Sequence, residues 1–394
     1  MNWFGFGFNA FGQIRDKLIR RESGSTVEDV KVIIPTDINS HVDESEEGTG
    51  CKQSICRKRS RIAASWSRRA SLHLEGDGCV CLAGFGAGVP SECCGISVSE
   101  SRGCRDAQIS EGHLTLAFPD RVETWSQGQN EKTRIWSMEI KTQSENGPTL
   151  NLPLVPGGYI DTKPPFYHSL SPQLRAVSLA LGAEHAILLS AAGAVYTWGL
   201  GSHGQLGHGG LTSEDEPRAV EALLGMPMSS VATGGWHSAS ISAGGDLYMW
   251  GWNESGQLGL PSQALRKEQQ RSQQPVALCQ DASKSTSEEP QEEEEHEDVF
   301  ISIQAFPALL DITQSCEIRA VSCGSRHTAA VTTTGDLYTW GWGEYGQLGH
   351  KTLMSSDEPQ HVEFFKENNM CVVDVVCGAW NTFAAVVKEE VAPS

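Results

Sequence analysis

Three histidines recur at one position of a repeated pattern, and imidazole is a common metal ligand. His185, His237 and His327 each stand three residues after a glycine, in GAEH, GGWH and GSRH. A repeat that supplies one histidine per copy distributes these side chains around a ring, so we expect them to lie far apart. A fourth copy has Asn381 here, which can form hydrogen bonds but does not ligate as imidazole does. The pattern therefore favours a structural hydrogen bond to neighbouring backbone over a metal site.

The cysteines are the second set of side chains that could bind a metal. The chain has 12 cysteines, and several lie close together as Cys79-x-Cys81, Cys93-Cys94 and Cys104. None of these has the C-x2-C spacing that is typical of zinc sites. The N-terminus lacks the basic start and the cleavage site of a signal peptide, so we expect free thiols in a reducing compartment. The sequence predicts neither a zinc site nor a disulfide framework.

The remaining motifs give no support to catalysis or cofactor binding. The glycine-rich string FGFGFNAFG lacks the Lys-Ser/Thr pair of a phosphate-binding loop and does not lie between a strand and a helix. Ser-His-Asp and Cys-His arrangements do not recur at a useful local spacing. We therefore expect a non-enzymatic protein with no catalytic residues, no cofactor and no metal.

Charge excludes one class of function and marks one basic segment. The chain of 394 residues has a net charge of −19, which argues against a protein that coats DNA or binds it sequence-specifically. Its apolar stretches are far shorter than the ~18 residues of a membrane-spanning helix. A candidate nuclear import signal is nevertheless present, made of Arg57, Lys58, Arg59 and Arg61. A local phosphate contact and a merely solvated segment are the alternatives.

The histidines belong to internal repeats, and these repeats set the fold. Three copies begin at Gly182, Gly234 and Gly324 and each reaches a GQLG string, while a fourth begins at Gly378 and reads GAWNTFAAVV. Gly182 and Gly234 are 52 residues apart. The longer step from Gly234 to Gly324 is one period plus an insertion at 261–299, which is rich in Gln and Glu. We expect this insertion to be a disordered acidic loop.

Each repeat predicts short strands separated by turns. The run from Ala186 to Leu189 is apolar, and the run from Leu337 to Trp340 is aromatic and β-branched, as packed strands are. Four short strands per repeat are typical of a β-propeller blade, so the fold class is all-β with a single propeller. The tryptophans of the WG pairs are expected between blades with their indole N–H groups satisfied: Trp198, Trp250 and Trp340.

The N-terminus is expected to complete the ring. Residues 6–14 (FGFNAFGQI) align without gaps on residues 250–258 (WGWNESGQL). They therefore predict the outer half of a blade whose inner half is residues 372–387, and this pairing would leave no exposed sheet edge.

Two further blades are degenerate. Residues 64–86 keep the skeleton without the histidine or GQLG, and residues 110–140 lie where another blade should be. Six blades can be read from the sequence, and a seventh is expected. The predicted organisation is 1–20 as strands that complete the last blade, 21–60 as a polar linker with the basic cluster, and 61–394 as propeller repeats.

The pattern GxxH followed by GDLYxWGWxxxGQLG resembles the regulator of chromosome condensation repeat, whose members form seven-bladed propellers. One vertebrate branch of that family is more similar still, through WFGFGFNAFGQ, GWNESGQL and SCGSRHTAAVTTTGDLYTWGWGEYGQLGH. The resemblance implies a monomeric scaffold for a JmjC-domain lysine demethylase or hydroxylase on chromatin. It further implies roles in histone H3 methylation, transcriptional repression and chromosome segregation in mitosis. Contact with histones would be indirect, and the location would be nuclear and chromosomal, with a cytoplasmic fraction left open.

The position before the repeated histidine is the candidate for partner binding. Because one repeat position recurs around one face of a propeller, its side chains should share a ring-shaped surface. Trp and Arg are favoured at interaction hot spots. The candidate residues are Trp66, Glu184, Trp236, Arg326 and Trp380.

Two other functions remain open. The family founder catalyses guanine-nucleotide exchange on a small GTPase, which needs a wedge that opens the nucleotide site. The insertion at 261–299 is acidic and of low complexity, which argues against such a wedge. A cytoplasmic or microtubule-linked adaptor is the second alternative.

Overall fold

The computed structural model describes residues 1–15, 18–20, 26–28, 30–38, 60–74, 78–85, 96–127, 133–140, 151–267, 299–313 and 316–388. Antiparallel sheets form a closed β-propeller of seven blades, as the sequence predicts. We number the blades in chain order and give the number 7 to the blade that both ends of the chain build. Described residues contain no helix long and apolar enough to cross a membrane.

The strands are numbered along the chain. Those from the N-terminal segment are β1 (Asn2–Phe8), β2 (Leu18–Arg20), β3 (Thr26–Glu28) and β4 (Lys31–Asp37). Blade 1 contains β5 (Ser60–Ala64), β6 (Arg68–His73), β7 (Cys79–Gly84) and β8 (Ile96–Ser97). Blade 2 contains β9 (Asp106–Ile109), β10 (His113–Ala117), β11 (Arg121–Ser126) and β12 (Arg134–Glu139), and blade 3 contains β13 (Leu154–Val155), β14 (Gly158–Ile160) and β15 (Tyr167–Ser169).

Blades 4 to 7 follow the repeats. Blade 4 contains β16 (Ala176–Leu181), β17 (His185–Ser190), β18 (Val195–Gly199) and β19 (Glu214–Ala219). Blade 5 contains β20 (Met228–Thr233), β21 (His237–Ser242), β22 (Leu247–Trp252) and β23 (Ile303–Leu310). Blade 6 contains β24 (Ile318–Cys323), β25 (His327–Thr332), β26 (Leu337–Gly341) and β27 (Ser356–His361), and blade 7 adds β28 (Met370–Cys377) and β29 (Asn381–Lys388). Short helical segments lie at Ser99–Ser101, Pro172–Leu174, Glu221–Leu223 and Glu363–Glu367.

The hydrophobic core lies between neighbouring blades. The second strands of blades 4 to 6 are buried along their whole length, because a blade packs on each face of them. Trp250 of blade 5 packs with Ile187 and Leu189 of blade 4, and Trp340 of blade 6 packs with Met249 of blade 5. Each WG tryptophan thus inserts into the preceding blade, which confirms its predicted place in the core.

Blade 7 closes the ring with both ends of the chain. Its strand order is β28-β29-β1-β4, and the register runs from Asn2 opposite Val386 to Gly7 opposite Asn381. Phe6 is fully buried in this blade. The outer strand β4 lies inside the range 21–60 that we expected to be a linker, because β1 would otherwise leave an unpaired edge.

Blade 3 is the blade that the sequence did not reveal. Its strands are only two to three residues long and carry no repeat motif. The amide of Leu170 donates to Gly157 O as Val220 donates to Val195 O in blade 4, so β15 is the outer strand. The three strands are therefore the second to fourth of a blade, preceded by residues 141–150, which are outside the described range.

Several predictions fall outside the described residues. They concern Arg57, Lys58 and Arg59 of the basic cluster and most of the acidic insertion, residues 268–298. Arg61 is described, and its exposed guanidinium lies 3.9 Å from Asp106 Oδ1.

Candidate interaction face

The repeated histidine joins each blade to the next. His237 Nε2 lies 3.0 Å from Thr328 Oγ1 of blade 6, and that hydroxyl donates to Gln257 O of blade 5 at 2.7 Å. Because the hydroxyl hydrogen is used on the carbonyl, Nε2 is the donor to Thr328. The same bond joins His185 to Ser238 at 2.8 Å and His327 to Thr382 at 3.0 Å. The structural role is as predicted, but the partner is a hydroxyl of the next blade, not neighbouring backbone.

Burial keeps these imidazoles neutral. It lowers the pKa of His185 to about 4 and those of His237 and His327 to about 3, because the charged form would lose its hydration. Repulsion from His185 and His327 in their protonated forms lowers the pKa of His237 further. Within the described ranges no group of His, Cys, Asp and Glu is arranged to hold a metal ion.

Blades 1 and 2 also form a hydrogen bond to the next blade from the position of the repeated histidine, which the sequence analysis did not predict. The strand register puts Arg68 of blade 1 where His237 stands in blade 5. The Arg68 Nη2 donates to Gln127 O of blade 2 at 2.9 Å. In blade 2, His113 Nδ1 lies 3.0 Å from Thr162 O of blade 3. The sequence signal for this histidine is SEGH, which keeps the spacing of GxxH but has serine in place of the first glycine.

Among the clustered cysteines, Cys81 and Cys104 are buried. Burial raises the pKa of Cys104 to about 12, and the nearby Cys79 raises it further. Cys104 is therefore a protonated thiol at neutral pH. Cys93 and Cys94 lie outside the described residues.

Four loops form one face of the ring together with the residues before the histidines. These motif loops, which follow the third strands, are residues 200–207, 252–259, 342–349 and 8–14. At the start of the second loop, Trp252 N donates to Trp236 O at 2.9 Å. This close approach requires glycine at position 251, where φ is +108° and a Cβ would lie 2.5 Å from Trp236 O. The motif loop therefore fixes the position of Trp236.

Aromatic side chains meet on this face between blades 4 and 5. The Trp236 and Trp252 rings are perpendicular, with centroids 5.4 Å apart, and His203 lies 5.6 Å from both. Trp236 Nε1 donates to Glu184 Oε2 at 3.1 Å. The Arg326 guanidinium lies over the Trp252 ring, 4.7 Å from its centroid, in a cation–π contact. Three predicted residues of neighbouring blades are thus brought together.

A second aromatic group lies on the same face in blades 6 and 7. Trp380 packs on Trp342 at 4.8 Å and on Tyr345 at 6.1 Å. Tyr345 in turn lies 4.9 Å from Phe8, whose ring is stacked parallel to Trp66 at 6.3 Å. We call the whole surface the aromatic arc: Trp66, Phe85, Phe8, Phe11, His203, Trp236, Trp252, Arg326, Trp342, Tyr345 and Trp380.

Trp66 lies on this face but not at the predicted repeat position. Phe85 N donates to Ser67 O as Trp252 N donates to Trp236 O, so Ser67 is the equivalent of Trp236. The predicted equivalence is wrong by one residue because blade 1 lacks the histidine that would have set the register. Trp66 is 46% exposed and Phe85 is 42% exposed. Large aromatic side chains that are contiguous and exposed are typical of interaction surfaces.

A seven-bladed ring with these histidine bonds and GQLG loops defines a propeller of the regulator of chromosome condensation class. Models of the regulator of chromosome condensation (RCC1) repeat match residues 192–241, 244–287 and 334–385, and a second such model matches residues 176–205, 228–257 and 318–347. The chain belongs to this family.

Relatives match either nearly the whole chain or about half of it. Human RCC1 domain-containing protein 1 is 40% identical over 402 residues, which cover 98% of this chain and 97% of that protein. The mouse probable E3 ubiquitin-protein ligase HERC4 is 32% identical over 214 residues, which cover 54% of this chain and only 16% of the ligase. The shared RCC1 propeller is not itself a catalytic unit.

A solved structure shows the same fold. Prp20p from Saccharomyces cerevisiae, reported with its binding properties to Gsp1p and histones, matches with a TM-score of 0.67 and 16% identity. The match covers 99% of this chain and 92% of that one.

Proposed function

We propose that this protein is a non-enzymatic scaffold that binds a chromatin-associated protein through the aromatic arc. The observation that carries the proposal is two groups of packed aromatic rings that cross blade boundaries on one face, the second of which ends in exposed Trp66 and Phe85. Rigid aromatic side chains supply large contact area at little cost in conformational entropy. Their mutual packing, such as Trp236 on Trp252, holds them in place before a partner arrives.

The finer assignment rests on family resemblance. The partner that we propose is a JmjC-domain lysine demethylase or hydroxylase, which would link the scaffold to histone H3 methylation, transcriptional repression and chromosome segregation. Identity of 40% to human RCC1 domain-containing protein 1 over nearly the whole chain supports the family resemblance from which this proposal is drawn. Nuclear location is part of the proposal, with Arg57, Lys58, Arg59 and Arg61 as the import signal.

Affinity purification from nuclear extract tests the proposal. The test variant combines Trp236→Ala, Arg326→Ala and Trp380→Ala, and hot-spot energetics predict a partner affinity at least about 30-fold lower. The control combines Phe306→Ala and Tyr167→Ala, which remove exposed aromatic rings from outer strands of blades 5 and 3. Circular dichroism and melting must first establish that both variants are folded.

The outcomes are distinct. Loss of a JmjC protein from the test variant alone supports both the scaffold and its face. Retention of that protein by the test variant means that the partner binds elsewhere. If nuclear extract yields no JmjC protein and the chain fractionates with cytoplasm or microtubules, the adaptor function replaces the nuclear one.

Guanine-nucleotide exchange is the second candidate, and the fold match to Prp20p favours it. Exchange needs no catalytic pocket in the propeller, because the factor acts by binding the GTPase and releasing its nucleotide. A nucleotide-release assay with a small nuclear GTPase is the test. Accelerated release that the control variant retains would establish this function in place of the scaffold.

A further inference from the structure

A cavity interrupts the face between blades 3 and 4. Its volume is about 250 Å³, and its lining includes Tyr159, Asp161, Glu184 and Trp198. Glu184 also accepts the hydrogen bond from Trp236, so the cavity adjoins the first residues of the aromatic arc. Pockets that bind drug-sized molecules are usually about 300–1,000 Å³, so this volume suits a single side chain better than a cofactor.

The cavity exists because blade 3 has a short loop in place of the motif loop. Between blades 4 and 5, Trp250 Nε1 and Ser238 Oγ both donate to Gln205 O, at 2.9 Å and 2.8 Å. That carbonyl belongs to the motif loop of blade 4. In blade 3 the corresponding loop is the short segment 161–166, which joins β14 to β15 and has no GQLG. Blade 4 has Ala186 where blade 5 has Ser238, so the hydroxyl is missing together with its acceptor.

The neighbouring residues are adapted to this open space. Where blades 4 and 5 place a loop carbonyl beside the indole, Trp198 has the ring of Tyr159 from blade 3 beside it. The two rings lie 5.8 Å apart and give the cavity an aromatic wall. The open space therefore goes with two features of these blades, the short loop of blade 3 and Ala186 in place of the serine of blade 5.

The lining carries more negative than positive charge. It has the carboxylates of Asp161 and Glu184 and the ammonium of Lys163, while His185 is neutral because burial lowers its pKa to about 4. Asp161 Oδ1 accepts from the amides of Thr162 and Lys163, which holds it at the start of its loop. A cation with an extended apolar stem would match two carboxylates and an aromatic wall.

We propose that this cavity receives an arginine side chain from a protein partner that lies along the aromatic arc. The guanidinium would contact Asp161 and Glu184, with its planar face against the aromatic wall. This inference rests on the proposed scaffold function, and it adds a specificity site at the end of the arc. It predicts that the partner carries an exposed arginine beside an apolar contact surface.

Titration with a small probe tests the cavity directly. The probe is acetyl-Gly-Arg-Gly-amide, and its matched control contains citrulline, which has the same shape but no charge. Nitrogen-15 labelling of tryptophan reports the Trp198 indole, assigned by its disappearance in Trp198→Phe. We expect the arginine peptide to shift this resonance saturably and the citrulline peptide to leave it unchanged. Equal shifts with both peptides, or none with either, would overturn the proposal.

Conservative variants test the residues. Asp161→Asn with Glu184→Gln keeps the acceptors for the Thr162 amide and the Trp236 indole but removes both charges, so the peptide shift should vanish. Lys163→Gln should retain or strengthen it. If the double variant still shows the full shift, the two carboxylates do not bind the arginine.

Partner capture separates this inference from the scaffold function. If the double variant retains the partner that the Trp236, Arg326 and Trp380 variant loses, the cavity assignment is wrong and the scaffold stands. If the wild-type chain captures no partner although the arginine peptide binds at Trp198, the scaffold fails while the arginine site remains.

Discussion

Trp236 and Glu184 are joined across the boundary between blades 5 and 4 by a hydrogen bond of 3.1 Å from the indole Nε1 to the carboxylate Oε2. Trp252 packs on the same indole from its own blade, at a right angle and 5.4 Å away. Two independent contacts therefore orient a side chain that is still half-exposed. Such preorganisation reduces the entropy that a binding surface loses when a partner docks.

The backbone beneath Trp236 should not tolerate a side chain. Gly251→Ala places a Cβ 2.5 Å from Trp236 O at a φ of +108°, so we expect a loss of at least about 1–2 kcal/mol in unfolding free energy. Urea denaturation measures it. Gly112→Ala is the control, since a Cβ there meets nothing within 4 Å. Equal losses in the two variants would contradict the steric argument.

The Thr328 hydroxyl, which joins blades 5 and 6, should contribute to the free energy of unfolding. Thr328→Val leaves the buried His237 N–H without its acceptor and removes one of the two donors to the Gln257 carbonyl, which keeps the Trp340 indole, so the change should cost about 1–3 kcal/mol. Equilibrium unfolding of this variant is compared with that of Thr352→Val, which removes an exposed hydroxyl. A neutral Thr328→Val would mean that water replaces the lost bonds.

Acid should destabilise the propeller through its buried histidines. Their pKa values are about 3 to 4 in the folded protein and about 6.5 in the unfolded chain, so below pH 6.5 the unfolded state binds more protons. Stability is therefore lost as pH falls from 6.5 towards 4, by up to about 4 kcal/mol per pH unit for three histidines.

A single substitution isolates this effect. His237→Gln should reduce the slope of unfolding free energy against pH by about 1.4 kcal/mol per unit, measured by urea denaturation between pH 7 and pH 4.5. Ile187→Val lowers stability without removing an imidazole and should leave the slope unchanged. An unchanged slope in His237→Gln would show that His237 does not resist protonation in the folded state.

Blade 7 should depend on the N-terminal strand. Phe6 is fully buried between β29 and the neighbouring blade, so Phe6→Ala should cost about 3–5 kcal/mol. Phe306→Ala removes the same ring from a position that is 54% exposed and should change stability by less than about 0.5 kcal/mol. Thermal melting of both variants checks the contrast, which similar shifts would refute.

The parts of the fold that could be predicted from the sequence are the blades that carry the repeat motif. Blades 4 to 6 were predictable because each carries the same glycines and aromatic residues at constant spacing, and Phe6 was predictable because it repeats Trp250. Blade 3 was not, since strands as short as Leu154–Val155 leave no period to read. Its structure depends on packing against blades 2 and 4, which sequence alone does not show.

The site was predictable in its residue types but not in its contacts. Repeat position alone put Glu184 and Trp236 on one face, but their hydrogen bond depends on side-chain directions across two blades. Trp66 was assigned one residue away from its true register because Arg68 substitutes for histidine. The cavity beside Glu184 could not be predicted from the sequence. It exists because the loop of blade 3 is short, and a short loop without GQLG has no motif to recognise.

The pairing of β1 with β29 also has a consequence for the order of folding. Asn2 and Val386 face each other although 383 residues separate them, so this contact closes the longest loop in the ring. Loop closure over such a span is slow, and rates fall as contacts become less local. During synthesis β1 is made early and can pair with β4, but its other edge has no partner until β29 is made. Blades 4 to 6 can therefore assemble on the ribosome, while the ring closes only after β29 has left it.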